Sequence, residues 1–315
     1  MRKPVISVCV TTYNQRDYID LCLRSILDQQ VDAEMQLLVG DDASTDGTSE
    51  VIAALVQEYG SRVQHLVRSP NLGAFENMCD LIGRAEGDFI ARVDGDDYWL
   101  PGKLARQLAY LKCHAGCVAV FTNAVTVDEA GKILGHFNDL GDVQLDLAAL
   151  VRRGNVLNNS SVLFRNGNQY AWLERSEQID YQLHLELVRN GQLGHIAEPL
   201  AVYRVATRGS MVAASNARVR ELYWQAIQSV PRDLVNDADY AHGLADFLRR
   251  VLFRSIATRS LALLRTWVAR VYAVSPYGRV RMTTLVAANT LRMAGKMLVA
   301  YISFSGYEKN VLYRH

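Results

Sequence analysis

The residues of this chain best suited to chemistry are carboxylates placed where apolar runs stop. Phe89-Ile90-Ala91-Arg92-Val93 gives way to Asp94-Gly95-Asp96-Asp97, and Leu37-Leu38-Val39 to Gly40-Asp41-Asp42-Ala43-Ser44-Thr45-Asp46-Gly47. A third run, Val8-Cys9-Val10, stops at Thr11-Thr12-Tyr13-Asn14. Gathering acids in one crevice is costly, since like charges ~4 Å apart repel by about 4 kcal/mol at an effective dielectric near 20. A bound cation relieves that cost. Asp94 and Asp96, at i and i+2 in extended chain, point the same way and suit a hard oxygen-bound ion, Mg²⁺ or Mn²⁺. Mg²⁺ is commonly held by one or two carboxylates and completed by phosphate oxygens, so a pair this sparse implies a phosphorylated ligand. The competing reading is that Asp and Gly here only build turns and helix caps, which suffices for Asp46 and extends to Asp41. Cys113-His114-Ala115-Gly116-Cys117 lacks a second ligand pair and is not expected to be a metal site.

These residues need a scaffold that brings strand ends together. Apolar, strand-length runs at 5–10, 35–39, 63–67, 88–93 and 118–122 alternate with helical patterning at 16–29, 45–59, 73–84 and 101–114. Such alternation predicts an α/β fold with a central, mostly parallel sheet covered by helices, whose ligands bind outside the carboxyl ends of the strands. Ser44 or Thr45 is expected to cap the second helix and Pro101 to open the fourth. Residues 131–153 read as a loop and a short helix; a strand near 160–164, a helix over 181–189 and an extended segment at 194–205 follow.

The chain has 315 residues, half of them apolar, and a net charge of +1. That excludes a disordered chain and gives no electrostatic footprint for nucleic acid. Five cysteines in this length are not a disulfide framework and fit a reducing compartment. The N-terminus passes directly into a strand-like run without a signal-peptide pattern, so a cytoplasmic protein is expected.

The motifs together resemble the inverting glycosyltransferases of family 2, which have the GT-A fold. Besides the three strand ends, Asn71-Leu72-Gly73, Ile179-Asp180-Tyr181-Gln182-Leu183 and Glu198-Pro199-Leu200-Ala201-Val202-Tyr203-Arg204 stand in the family's order, over roughly two-thirds of the chain. The resemblance implies a metal-dependent transfer of a sugar from a UDP-, GDP- or dTDP-sugar to a saccharide or lipid-linked saccharide, in surface polysaccharide or glycolipid assembly. It places Thr11 and Tyr13 at the base pocket, Asp42 on the base, and Asn71 and Asn77 along the nucleoside or sugar. It places Asp94 at the ribose or metal, Asp96 on the metal, and Asp180 as catalytic base, with Glu177 as the fallback. Two departures stand out: Ile179 replaces the usual first acid before Asp180, and Ala206 replaces a frequent His, for which Arg208 is the available substitute. Trp99 reads either as a sugar-stacking ring or as core. Two other functions fit less of the pattern: a non-catalytic nucleotide-sugar-binding scaffold, and a sugar nucleotidyltransferase.

Residues 1–214 are expected to form the transferase domain, and 215–315 a helical domain. From Phe247 to Tyr307 there is no Asp or Glu, against nine arginines and Lys296. The 283–304 stretch is long and apolar, but Arg292 and Lys296 interrupt it, and each would cost about 2.5–3.5 kcal/mol near a bilayer centre. With Arg281 they form a narrow basic stripe. The stripe fits a helix lying on the inner face of the plasma membrane, or a packed bundle or homo-oligomer interface with solvated arginines.

Overall fold

The structure, a computed structural model, describes residues 2–167, 177–205, 216–303 and 311–313. Ala206 and Arg208 lie outside the described residues.

Strand β1 (Val5–Thr12) is buried almost throughout, as expected of a strand covered on both faces. It pairs in parallel with β2 (Glu34–Asp41) on one side and β4 (Phe89–Asp94) on the other, and β3 (Val63–Val67) extends β2 in parallel. Helices α1 (Arg16–Leu27), α2 (Thr48–Tyr59) and α3 (Ala74–Gly83) make the crossovers. This half matches the parallel sheet expected from the sequence.

Past β4 the sheet becomes mixed. Strand β9 (Leu163–Arg165) lies antiparallel between β4 and β6 (Cys117–Val127), and β10 (Gln192–Arg204) runs parallel to β6. Residues 131–153, expected as loop and short helix, hold β7 (Ile133–Asn138), β8 (Val143–Leu145) and α5 (Leu147–Arg153). The two strands are short and rich in Gly, Asn and Asp nearby; β6 and β10 recruit them by pairing, which local propensity cannot report. Strand β5 (Tyr98–Trp99), helix α4 (Lys103–Cys113) and helix α6 (Asp180–Val188) complete this part.

Two helix starts differ from expectation. Helix α2 begins after Gly47 in the left-handed region (φ 98°), and Asp46, not Ser44 or Thr45, accepts the Thr48 N–H at 3.0 Å. Helix α4 begins at Lys103 after Gly102 (φ 83°), which leaves Pro101 outside it. In both cases glycine makes a turn that a side chain would strain.

The remaining helices are α7 (Asn216–Gln228), α8 (Asp237–Ala257), α9 (Leu261–Val274) and α10 (Arg279–Ser303). Asn236 caps α8 by accepting the Asp239 N–H at 2.9 Å, and Ser260 caps α9 through Leu263. Their apolar faces continue the core that α3, α5 and α6 build on one face of the sheet. Trp224, Phe247, Trp267 and Met282 belong to the same buried cluster as Leu81, Leu150 and Tyr181. The C-terminal part is not wholly helical: β11 (Val311–Tyr313) pairs with β7. Among the described residues no helix is long and apolar enough to cross a membrane. In the basic stripe of α10, all exposed, Arg292 and Lys296 line a cavity shared with α5 and α8, and Arg281 stacks on Tyr277 at 3.6 Å.

Candidate active site

Strand register assembles the acids. Thr11 stands opposite Asp94, and Thr12 opposite Asp41, so the ends of β1, β2 and β4 share one edge. The turns that follow are tied together. Asn14 accepts the Thr45 N–H at 2.8 Å and donates its own N–H to Ser44, while the Arg16 N–H donates to Asp46 at 3.1 Å. Asn14 (φ 52°) and Ala43 (φ 65°), two non-glycine residues in the left-handed region, lie in these turns, where such backbone marks a constrained site.

Asp41 is wholly buried. Burial alone would raise its pKa, but the nearby His65 imidazole, at 3.7 Å, and hydrogen bonds from Ser44 and Ser49 lower it to about 2. It fastens the turn and is shut off from ligand. Asp42 accepts N–H bonds from Leu72 (2.7 Å) and Gly73 (2.8 Å), and the Asn71 amide donates to the Asp42 carbonyl. The Asp42 carboxylate thus sets the path of residues 71–73. Asn77 is buried beneath: its amide nitrogen donates to the Gly40 carbonyl at 2.8 Å and its oxygen accepts from Arg68 at 3.1 Å. A Cβ on Gly40 would collide with that amide.

The acid turn after β4 is built around Arg92, which the sequence reading passed over. Its side chain lies on the same face of β4 as Asp94, two residues on. Arg92 is 5% exposed, donates to Asp94 at 3.0 Å, and reaches Asp180 at 3.3 Å. Burial alone would lower the pKa of this guanidinium, and the charges of Asp94 and Asp180 more than compensate. Thr11 also donates to Asp94, at 2.9 Å. Asp180 is the first residue of α6 and is 49% exposed at its side chain. It does not cap that helix; instead it accepts from Asn159 at 2.6 Å and from Arg92. Among the described residues both bonds fall on Oδ1. The signal for Asn159 and Ser160 was a polar run, Asn158-Asn159-Ser160-Ser161, between apolar Val156-Leu157 and Val162-Leu163.

Arg204 at the end of β10 fixes the other half of the turn. Its backbone N–H donates to Asp97 at 2.8 Å, and its side chain donates to the carbonyls of Asp96, Asp128 and Glu129. Burial first, then the charges of Asp96 and Asp94, push the Asp97 carboxyl well above the usual range. Arg92 is shared between Asp94 and Asp180, so with Asp96 the turn holds more carboxylates than Arg92 neutralises. Buried polar atoms lacking a protein partner among the described residues gather here: Thr12 Oγ1, Gln15 Oε1, Asp97 Oδ2 and Asn159 Oδ1. Such groups are costly unless something else satisfies them. Half-buried Asp96 and Asp94, amid this excess charge, fit a divalent cation completed by phosphate oxygens. Among the described residues no group of three or more His, Cys, Asp or Glu could hold a metal alone.

The edge thus unites Thr11, Tyr13 (50% exposed), Asp42, Asn71, Asp94, Asp96 and Asp180, with Asn77 set below it. Trp99 does not join them. It is 2% exposed, donates its indole N–H to the Ser160 carbonyl at 2.8 Å, and lies under Lys103, so its sugar-stacking reading is withdrawn. Glu177 pairs with Arg218 at 2.7 Å. Cys113 is exposed and Cys117 buried. A depression of about 340 Å³ is lined by Glu177, Gln178, Ile179 and Gln182, which flank Asp180 in sequence, and by Leu222, Gln225 and Ser229.

Known proteins carry the same architecture. A solved structure of Staphylococcus aureus TarS in complex with UDP-GlcNAc superposes with a TM-score of 0.65 at 19% identity, over 89% of this chain and 83% of that one. A mannosyltransferase from Pyrobaculum calidifontis, in complex with GDP-Man and Mn²⁺, gives 0.51 at 18% identity, over 95% and 88%. An uncharacterized protein of Mycobacterium tuberculosis is 29% identical over 225 residues, 70% of this chain, which spans 64% of that relative's length. The family model described as Glycosyl transferase family 2 matches residues 7–206, nearly two-thirds of the sequence. The chain is a member of glycosyl transferase family 2, with a GT-A fold.

Proposed function

We propose that this protein transfers a hexose from a nucleoside-diphosphate sugar to an acceptor hydroxyl with inversion at the anomeric carbon, Asp180 serving as the base. The observation that carries the reading is the bridge through Arg92, which fixes the acid turn and a carboxylate on α6 relative to each other. Thr11, Tyr13 and the 71–73 loop braced by Asp42 form the nucleotide side. Asp96 with Asp94 would hold Mg²⁺ or Mn²⁺, which when bound supplies Lewis-acid stabilisation to a departing diphosphate.

The acceptor hydroxyl is a poor nucleophile and must lose its proton as it attacks. Asp180 accepts that proton, a contribution of about 10²–10⁴-fold. Asn159 and Arg92 both bind Oδ1, so the acceptor proton goes to Oδ2. Displacement from the face opposite the leaving group needs one carboxylate, where retention through a covalent intermediate needs two. We assign the acceptor saccharide to the depression lined by residues on either side of Asp180 in sequence, where Gln178 and Gln225 offer amides to its hydroxyls. We assign catalysis to residues 1–214 and support of α6 to residues 215–315. The acceptor is a saccharide or lipid-linked saccharide of surface polysaccharide or glycolipid assembly.

Asp180→Asn tests the assignment. Donor affinity by calorimetry should stay within about twofold, while nucleoside diphosphate release in the presence of acceptor falls by about 10²–10⁴-fold. Unchanged turnover would remove Asp180 from the mechanism and favour Glu177. Donor binding with no turnover in the unaltered chain would favour the scaffold reading.

A further inference from the structure

A second polar cavity lies apart from Asp94, Asp96 and Asp180. It encloses about 460 Å³ between α5, the segment from Asp139 to Val143, α8 and α10. Five cations line it: Arg152, Arg153, Arg249, Arg292 and Lys296, against the carboxylates of Asp139, Asp142 and Asp246. At its base Arg249, nearly buried, is held by Asp246 at 2.5 Å. At its rim the pairs are loose: Lys296 lies 3.6 Å from Asp139, and Arg152 3.6 Å from Asp239. Among the described residues Arg153 and Arg292 have no carboxylate partner. His242 in the same wall has a lowered pKa, from burial first and then from Arg152 and Arg292.

Three elements distant in sequence each contribute a guanidinium here, and self-repulsion within one cavity is a cost unless an anion compensates it. Guanidinium forks match phosphate oxygens in geometry, and several around one cavity exceed what a chloride or a single carboxylate needs. We propose that this cavity is a binding site for a phosphate or diphosphate group, borne by a soluble anion or by a lipid headgroup. Arg292 and Lys296 of the α10 basic stripe then form one wall of that site.

Thermal shift and calorimetry of the full chain with inorganic pyrophosphate, at ionic strength matched with NaCl, test it. Three variants separate the sites: Arg153→Gln/Arg292→Gln, Lys296→Gln, and Asp96→Asn as the donor-side control. The expected result is saturable pyrophosphate binding that Asp96→Asn retains. Arg153→Gln/Arg292→Gln should weaken it by at least about tenfold, as expected for lost charge-assisted hydrogen bonds. Lys296→Gln should weaken it too, by less, and guards against a double variant that fails to fold. Flotation with phosphatidylcholine vesicles, with and without phosphatidic acid, distinguishes the sources. Flotation that needs phosphatidic acid and is lost in Arg153→Gln/Arg292→Gln assigns a lipid phosphate, whereas pyrophosphate binding without flotation assigns a soluble one. No saturable binding overturns the proposal. Binding that survives Arg153→Gln/Arg292→Gln and disappears in Asp96→Asn overturns it as well.

Discussion

Arg92 is the residue on which the site's geometry turns, since one guanidinium meets carboxylates from β4 and from the start of α6. Lysine would keep the charge but lose the fork, and a single ammonium serves both acids poorly. Arg92→Lys should lower kcat by about 10–100-fold, the usual range for a supporting residue, with donor KM little changed. Steady-state kinetics decide it; an equal rise in KM would place Arg92 on the donor side only. The residue was legible in principle, because a lone cation in Phe89-Ile90-Ala91-Arg92-Val93 is costly to bury without partners. Its partners were not, since Asp180 lies 88 positions away and only the fold joins them. Trp99 shows the opposite limit: an aromatic after an acid turn reads alike whether it faces a sugar or, as here, the Ser160 carbonyl.

At the scale of elements, the turn between β4 and β5 depends on glycine for closeness. A Cβ at Gly95 would sit 2.6 Å from Gln15 Oε1 and 2.9 Å from Thr12 Cβ. The backbone there also donates its N–H to the Thr11 carbonyl at 2.9 Å, which holds the turn against β1. Gly95→Ala should cost about 1–3 kcal/mol in chemical denaturation and weaken donor binding by displacing Asp94 and Asp96. Loss of stability with unchanged donor affinity would show that the turn does not set the carboxylate positions. The parallel half of the sheet was readable because each strand is an uninterrupted apolar run closed by polar turn residues. Strands β7 and β8 were not, because their pairing with β6 and β10 outweighs weak local preference.

Across the whole molecule, α6 rests on the C-terminal helices. Tyr181 stacks on Tyr223 at 4.8 Å, Tyr223 on Phe247 at 5.7 Å, and Phe247 meets Trp267 edge-on at 5.0 Å. The residue after Asp180 is thus anchored through α7 and α8 to α9. Removing everything from Asn216 onward would expose this cluster, so the shortened chain should lose its cooperative thermal transition and bind a hydrophobic dye. A shortened chain that melts sharply would show that the 1–214 unit is self-sufficient. The sequence pattern marked where the composition changes but not that both parts share one core.

The central claim is a nucleotide-sugar site at the strand-end acids, and calorimetry with UDP, GDP and dTDP, with and without Mn²⁺, tests it most directly. Metal-dependent binding of one nucleotide, abolished in Asp96→Ala, is the predicted result. Failure of every nucleotide to bind the unaltered chain, with or without metal, would contradict it.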